Sequence, residues 1–109
     1  MRYDIVLWFR EKLIGCFNNG KVLVWLIGSV ASGKEIPNDC DILIIFDTVY
    51  MDELLDCSES WRQDFKATFN LELHLTRISF EEVRDWLPFL KRNFKKPHLL
   101  IYPFKKSTE

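Results

Sequence analysis

The chain has 109 residues, of which 48% are hydrophobic and 15% aromatic, and its formal net charge is −1 at pH 7. This length supports one domain with a single core, residues 1–109, and the composition excludes an intrinsically disordered chain. The near-zero charge gives no general attraction to anionic surfaces, so a nucleic-acid partner stays open without being indicated.

No apolar run in the sequence is long enough to span a membrane, and the opening segment MRYDIVLWFREK has the pattern of an amphipathic helix and not of a signal peptide. The cysteines Cys16, Cys40 and Cys57 are odd in number and lack the spacing of a metal site. Because reduced thiols are typical of the cytoplasm, we expect a cytoplasmic protein with no membrane partner.

The first part of the chain predicts one helix and two strands. Apolar residues at helical spacing predict a helix over residues 3–17, and Gly20 ends it as a left-handed terminator. Residues 21–27 are almost continuously apolar, which predicts a central strand covered on both faces. A connection over residues 28–38 leads to a second apolar strand at residues 40–46. We therefore expect two buried strands at the centre of the sheet.

The middle of the chain predicts a helix followed by a strand with two different faces. The helix covers residues 52–68, with large apolar side chains on its inner side. Polar and apolar residues then alternate over residues 69–76, which is typical of a half-buried strand. Glu72 and His74 belong to its polar face.

The last part predicts a helix, an edge strand and a tail. The sequence Ser-Phe-Glu-Glu at 79–82 fits a capping box, so a helix begins there and continues to residue 94, with a kink or a break at Pro88. Residues 98–102 can form a short edge strand, and 103–109 form a polar tail. The order α-β-β-α-β-α-(β) predicts an α+β two-layer sandwich, in which a mixed β-sheet carries helices mainly on one face.

Two acidic residues open the second central strand. Asp39 and Asp41 are two positions apart, so their side chains point to the same face, and Cys40 points to the other as a small core residue. Two carboxylates at the mouth of an apolar strand are costly unless a positive charge lies between them. A divalent cation meets this need, and oxygen ligands suit Mg²⁺.

The segment VWLIGSVASGKEIPNDCDILIIF, residues 24–46, contains a Gly28-Ser29 turn, nine further residues and then the acidic pair before a strand. This arrangement resembles the polymerase-beta-like nucleotidyltransferase superfamily, and in particular its small minimal nucleotidyltransferases. The resemblance implies the nucleotidyltransferase fold, which agrees with the α+β sandwich expected from the order of elements.

The resemblance also implies a nucleotide-binding role for the turn and the connection. Gly28 and Ser29 would let the backbone approach a phosphate chain and donate hydrogen bonds to it, although a Gly-Ser pair alone is more often an ordinary strand-ending turn. Many family members have a basic residue before the second glycine of the connection, where this chain has Ser32. Lys34, after Gly33, can supply the same charge or can simply be solvated.

The metal ligands implied by the resemblance are Asp39, Asp41 and a third acid on a neighbouring strand, which Glu72 matches. Together they would hold two Mg²⁺ ions about 4 Å apart, and Glu72 would also accept the proton of the incoming hydroxyl. Glu72 can equally lie on a solvated face. His74 shares its face and either orients a ligand or phosphate or is an exposed histidine without a role.

We therefore expect a Mg²⁺-dependent enzyme that transfers a nucleoside monophosphate, AMP from ATP by the resemblance, to a hydroxyl group. The resemblance suggests a partner protein as acceptor, such as a HEPN-type toxin that the small protein silences as its antitoxin; a homo-oligomer is also open. One alternative is an inactive module of the same fold that binds nucleotide or protein. A transferase acting on a small molecule such as an aminoglycoside is disfavoured by the short chain.

Overall fold

The computed structural model describes residues 1–14, 16–17 and 20–104. Its helices are α1 (Arg2–Ile14), α2 (Gly28–Ala31), α3 (Met51–Phe69) and α4 (Leu87–Lys95), and 3-10 turns cover Thr48–Tyr50 and Phe80–Trp86. Its strands are β1 (Val22–Ile27), β2 (Asp39–Phe46), β3 (Glu72–Ser79) and β4 (Leu99–Tyr102).

The strands form one four-stranded mixed sheet in the order β3-β2-β1-β4. β1 is antiparallel to both β2 and β4, whereas β2 and β3 are parallel. A parallel pair needs a crossover connection, and the long helix α3 supplies it. The predicted α+β class with a mixed sheet is confirmed, as are the central position of the first two strands and the edge position of the last.

The larger core lies between one face of the sheet and the two long helices, α1 and α3. The ring of Phe65 is central to it, with centroids 5.5 Å from Trp8, 5.9 Å from Phe9 and 4.8 Å from Phe69. Alternate residues of the central strands face these rings: Val22, Val24, Leu26, Cys40, Ile42, Ile44 and Phe46. The apolar residues of α1 and α3 therefore pack against one set of alternate strand residues, because successive side chains of a strand point to opposite faces.

The opposite face of the sheet carries a smaller core. Leu43 and Ile45 of β2 pack there with Ile78 of β3 and with Leu90 of α4. Because side chains alternate, Asp39 and Asp41 lie on this same face, at the other end of β2. The helices thus lie mainly on one face, and the acidic end of β2 lies on the other.

Three predicted boundaries differ from the structure by three residues, and one of them is the end of β3, which lies at Ser79 and not at residue 76. α1 ends at Ile14 and not at residue 17. The third strand begins at Glu72 and not at residue 69, because Asn70 adopts a left-handed conformation and donates its backbone N–H to the Lys66 carbonyl, which ends α3. The predicted face of Glu72 is unaffected, since alternation does not depend on where the strand begins.

The segment after β3 agrees with its sequence signals. Ser79 and Glu82 form the reciprocal hydrogen bonds of a capping box, and Pro88 lies in the first turn of α4, so the helical segment is in two pieces.

Phe104, which the sequence places in a polar tail, packs against the larger core, and the Arg10 guanidinium lies 4.8 Å from its ring centroid. The rest of the tail, 105–109, lies outside the described residues. Within the described part of the chain, no helix has both the length and the apolar content needed to cross a membrane.

Truncation of Phe65 tests the position of the larger core. Phe65 is fully buried, so we expect Phe65→Ala to lower the free energy of unfolding by about 3–5 kcal/mol. Leu55 lies on the same helix but is half exposed, and Leu55→Ala should change stability by only about 0.5 kcal/mol. Urea denaturation of both variants measures the difference, and equal losses would contradict the assigned core.

Candidate functional site

Asp39, Asp41 and His74 form a cluster on the sheet face that carries the smaller core. The His74 Nδ1 atom lies 3.5 Å from Asp39 Oδ2 and 3.6 Å from Asp41 Oδ1. One donor atom from each residue lies within 4.8 Å of the other two. All three side chains keep contact with solvent: the two aspartates are just over one-third exposed and the histidine is more exposed. The cluster is therefore reachable by a ligand.

The register of the parallel pair β2–β3 creates this cluster. Asp39 lies opposite Glu72, and Asp41 lies opposite His74. Side chains at paired positions share a face, and neighbouring strands are about 4.8 Å apart. Four side chains with carboxylate or imidazole groups therefore meet at one end of the two strands.

Glu72 is brought to this end of the sheet, but its carboxylate is engaged elsewhere. Its Oε1 atom accepts a hydrogen bond from Lys66 Nζ at 2.8 Å, and this bond and the lysine charge lower the pKa of Glu72. Among the described residues, the group with ligand atoms within reach of one another contains His74 in place of Glu72. The role of Glu72 as third ligand stays a prediction, and it requires the bond to Lys66 to open.

Gly28 packs its backbone directly against the Asp41 side chain. It follows Ile27, the residue paired with Asp41 across β1 and β2. Its φ is +75°, and a Cβ at this position would lie 3.2 Å from both Cβ and Cγ of Asp41 and closer still to Oδ2. Only glycine allows both the positive φ and the close approach. The predicted phosphate turn and the predicted metal ligands are therefore adjacent.

The rest of the connection extends from this contact toward the start of α1. Ser29 lies in the first turn of α2, where its carbonyl accepts the Lys34 N–H at 3.0 Å. Gly33 and Lys34 line a cavity of about 470 Å³ together with Met1, Arg2 and Tyr3. The lining of this cavity contains none of the clustered side chains, although Lys34 is joined to Ser29 by the backbone hydrogen bond.

The cluster contains two carboxylates that repel each other, and His74 offsets this repulsion only in part. Burial raises the pKa of Asp41, and the Asp39 carboxylate raises it further, while His74 opposes both effects. In the part of the chain that the structure describes, the ion pairs of the two aspartates are with His74, and no lysine or arginine accompanies them. A positively charged ligand would therefore relieve a repulsion that the protein itself relieves only in part.

Cys40 lies between the two aspartates in sequence but on the other face of the strand. It is completely buried, and burial, followed by the charges of Asp41 and Asp39, raises the pKa of its thiol to about 12. A thiol with this pKa is neutral at pH 7, so Cys40 is a core residue and not a nucleophile.

Comparison with known protein families, curated proteins and solved structures finds no match to this chain. The resemblance of residues 24–46 to nucleotidyltransferases therefore rests on residue spacing and stays a prediction. Sequence reasoning placed His74 on the correct face but did not assign it to the cluster, because only the register of β3 against β2 brings it opposite Asp41.

Substitution of glycine by alanine tests the contact between Gly28 and Asp41. Gly20 has a similar φ of +88°, but a Cβ at that position would have no atom within 4 Å, so Gly20→Ala should cost about 1–2 kcal/mol from backbone strain alone. Gly28→Ala carries the same strain and also displaces Asp41, so its loss in the free energy of unfolding should be larger. Equal losses in urea denaturation would contradict the close contact.

Neutralisation of Asp41 tests the repulsion in the cluster. The folded-state pKa of Asp41 is raised above its ordinary value of 3.8, so its ionised form destabilises the fold at pH 7. In buffer with a chelator, Asp41→Asn should therefore raise the melting temperature at pH 7. The gain should shrink as the pH falls through the folded-state pKa toward 3.8, because the carboxyl then becomes protonated in both states.

Thermal denaturation between pH 4 and pH 8 measures this effect. Asp85→Asn is the control, because Asp85 is exposed on the 3-10 turn between β3 and α4 and should change the melting temperature little. A lower melting temperature for Asp41→Asn at pH 7 without metal would contradict the assignment.

Proposed function

We propose that this protein is a cation-dependent nucleotidyltransferase that moves a nucleoside monophosphate, AMP from ATP in the first instance, to a hydroxyl group. The observation that carries the proposal is the pair Asp39 and Asp41 on one strand face, with Gly28 of the preceding turn packed against Asp41. This is the arrangement that the resemblance of residues 24–46 leads us to expect.

The resemblance implies Mg²⁺, and the donor atoms of the site fit this ion only in part. Asp39 and Asp41 offer the carboxylate oxygens that hold a divalent cation. A second ion would need a further carboxylate, and Glu72 is bonded to Lys66. In this arrangement the donor set offers ligands for one cation, and the second ion that the resemblance implies would require Glu72 to leave Lys66.

The chain's own residues would share the work of the transfer. Asp39 and Asp41 bind the cation, which when bound neutralises charge on the phosphates. Ser29 donates its hydroxyl to a phosphate oxygen beside Gly28. Lys34 attracts the triphosphate from the side of the connection. Glu72, once released by Lys66, would accept the proton of the incoming hydroxyl, whose oxygen bonds to the α-phosphorus of ATP as the bond to the departing pyrophosphate breaks.

For the acceptor we propose a hydroxyl on a partner protein, with a HEPN-type toxin as the first partner to examine and a second copy of this chain as another. This part rests on the resemblance alone. We also propose a cytoplasmic location, which the free cysteines Cys16, Cys40 and Cys57 support because thiols stay reduced there.

A second candidate function is a binding module that keeps the fold without catalysis. The bond between Glu72 and Lys66 favours it, because the residue proposed to accept the proton is occupied. Ser32, in place of the basic residue of many family members, points the same way. Such a module would bind nucleotide or protein without transferring a nucleoside monophosphate.

Transfer of label from α-labelled ATP tests the proposed function. The full chain is incubated with ATP, Mg²⁺ or Mn²⁺, and either the product of the adjacent gene or no other protein. We expect labelled protein with the wild type, and a loss of more than about 100-fold in Asp41→Asn because a metal ligand is removed. Asp85→Asn should keep full activity.

Nucleotide titration separates the two candidate functions. If no label is transferred and ATP binding depends neither on the metal nor on Asp39, the transferase proposal fails and the binding module remains. Transfer that is lost in Glu72→Gln at unchanged ATP affinity would assign the proton acceptor. Transfer that is unchanged in that variant would remove Glu72 from the chemistry.

A further inference from the structure

The Nδ1 atom of His74 lies at distances from Asp39 and Asp41 that are close to those between ligands of one small cation. At a metal–ligand distance of about 2.1 Å, two ligands lie about 3.0 Å apart at a right angle and about 3.4 Å apart at the tetrahedral angle. The His74 Nδ1 atom is 3.5 Å from one carboxylate oxygen and 3.6 Å from the other. The donor atoms of all three residues lie within 4.8 Å of one another, so side-chain movement without a change of backbone can bring them to one cation.

The chemistry of these donors differs from that of a magnesium site. Mg²⁺ takes oxygen ligands in near-ideal octahedral geometry, whereas an imidazole nitrogen suits first-row transition metals such as Co²⁺ and Zn²⁺. Two carboxylates and one imidazole supply three protein ligands and leave further positions open, which is typical of a catalytic and not of a structural metal site.

Two contacts around the cluster limit which side chains can join it. Gly28 lies against Asp41 with the Cβ position 3.2 Å from its Cγ, so the carboxylate has little room to turn toward β1. On the other side, Lys66 holds Glu72 at 2.8 Å and keeps this third acid out of the group. His74, in register with Asp41, is then the residue that completes the group.

We propose that Asp39, Asp41 and His74 bind a single first-row transition-metal ion in preference to Mg²⁺. His74 Nδ1 is the third ligand, and Glu72 is not one. Where it identifies the cation of nucleotidyl transfer, this inference rests on the proposed function. The binding of the metal itself does not depend on that function.

Titration of the chelator-treated full chain with Co²⁺ tests the proposal, because the visible absorption of Co²⁺ reports its ligands. The titration uses a Cys16→Ser, Cys57→Ser background, which removes the exposed and half-exposed thiols as competing ligands. We expect one Co²⁺ per chain, and at least about tenfold more Mg²⁺ than Co²⁺ to displace it.

Single variants assign the ligands. His74→Ala should weaken Co²⁺ binding at least about tenfold, change its spectrum and leave the weak Mg²⁺ affinity unchanged. His98→Ala is the matched control, because His98 is exposed and its Nδ1 lies 2.8 Å from the Lys96 carbonyl, away from the cluster. Glu72→Gln should bind Co²⁺ as the wild type does. Since His74 is exposed, its loss should leave the fold intact, and the melting temperature in chelator checks this.

Three results would overturn the inference: Co²⁺ binding that survives His74→Ala, Mg²⁺ that competes equally with Co²⁺, or Co²⁺ binding that is lost in Glu72→Gln. In the first case His74 only forms an ion pair with the two aspartates. If the proposed function fails and this inference holds, Co²⁺ binds as expected in the titration but no label is transferred from ATP. Transfer that depends on Mg²⁺ and is unchanged in His74→Ala would keep the function and overturn the identification of this ion as the cation of nucleotidyl transfer.

Discussion

The parallel pairing of β2 with β3 is the constraint on which the site depends. It sets Asp39 opposite Glu72 and Asp41 opposite His74, and a shift of one residue would turn the polar side chains of β3 to the other face. The apolar residues of the same strands hold this register, because Leu43 and Ile45 must meet Ile78 on one face while Ile42 and Ile44 fill the larger core on the other. The site is thus positioned by the two cores.

This arrangement lowers the stability of the fold, because it places two carboxylates close together in a partly buried site. Asp41 is half-buried beside a second carboxylate, and burial together with the charge of Asp39 raises its pKa more than the nearby histidine lowers it. Gly28 adds to the constraint, because its backbone occupies the space into which the carboxylate could otherwise turn. A group that destabilises the fold and is nevertheless held in place is typical of a binding or catalytic site. Both proposals, transfer of a nucleotide and binding of a transition metal, place a cation between these two carboxylates, where it would relieve their repulsion.

The two polar side chains at the start of β3 have separate partners, and this distinguishes the protein from the pattern it resembles. Lys66, in the last turn of α3, binds Glu72, while His74 lies beside Asp39 and Asp41. The helix that makes the parallel pairing of β2 and β3 possible thus also determines which side chain completes the cluster. A site with one histidine ligand and one cation differs in its metal preference from a site with three carboxylates and two cations.

The sequence by itself determined the α+β class, the two central strands, the capping box at Ser79, and the shared face of Asp39 and Asp41, because each depends on local periodicity or local hydrogen bonding. It placed the end of α3 within one residue of Phe69, but it began the next strand at residue 69 and not at Glu72, since it did not identify the left-handed Asn70 as the end of the helix. Only the tertiary structure decided the partner of Glu72 and the inclusion of His74. These depend on which strand lies beside β2, in which direction and in which register, and long-range pairing leaves no periodic signal in a single chain.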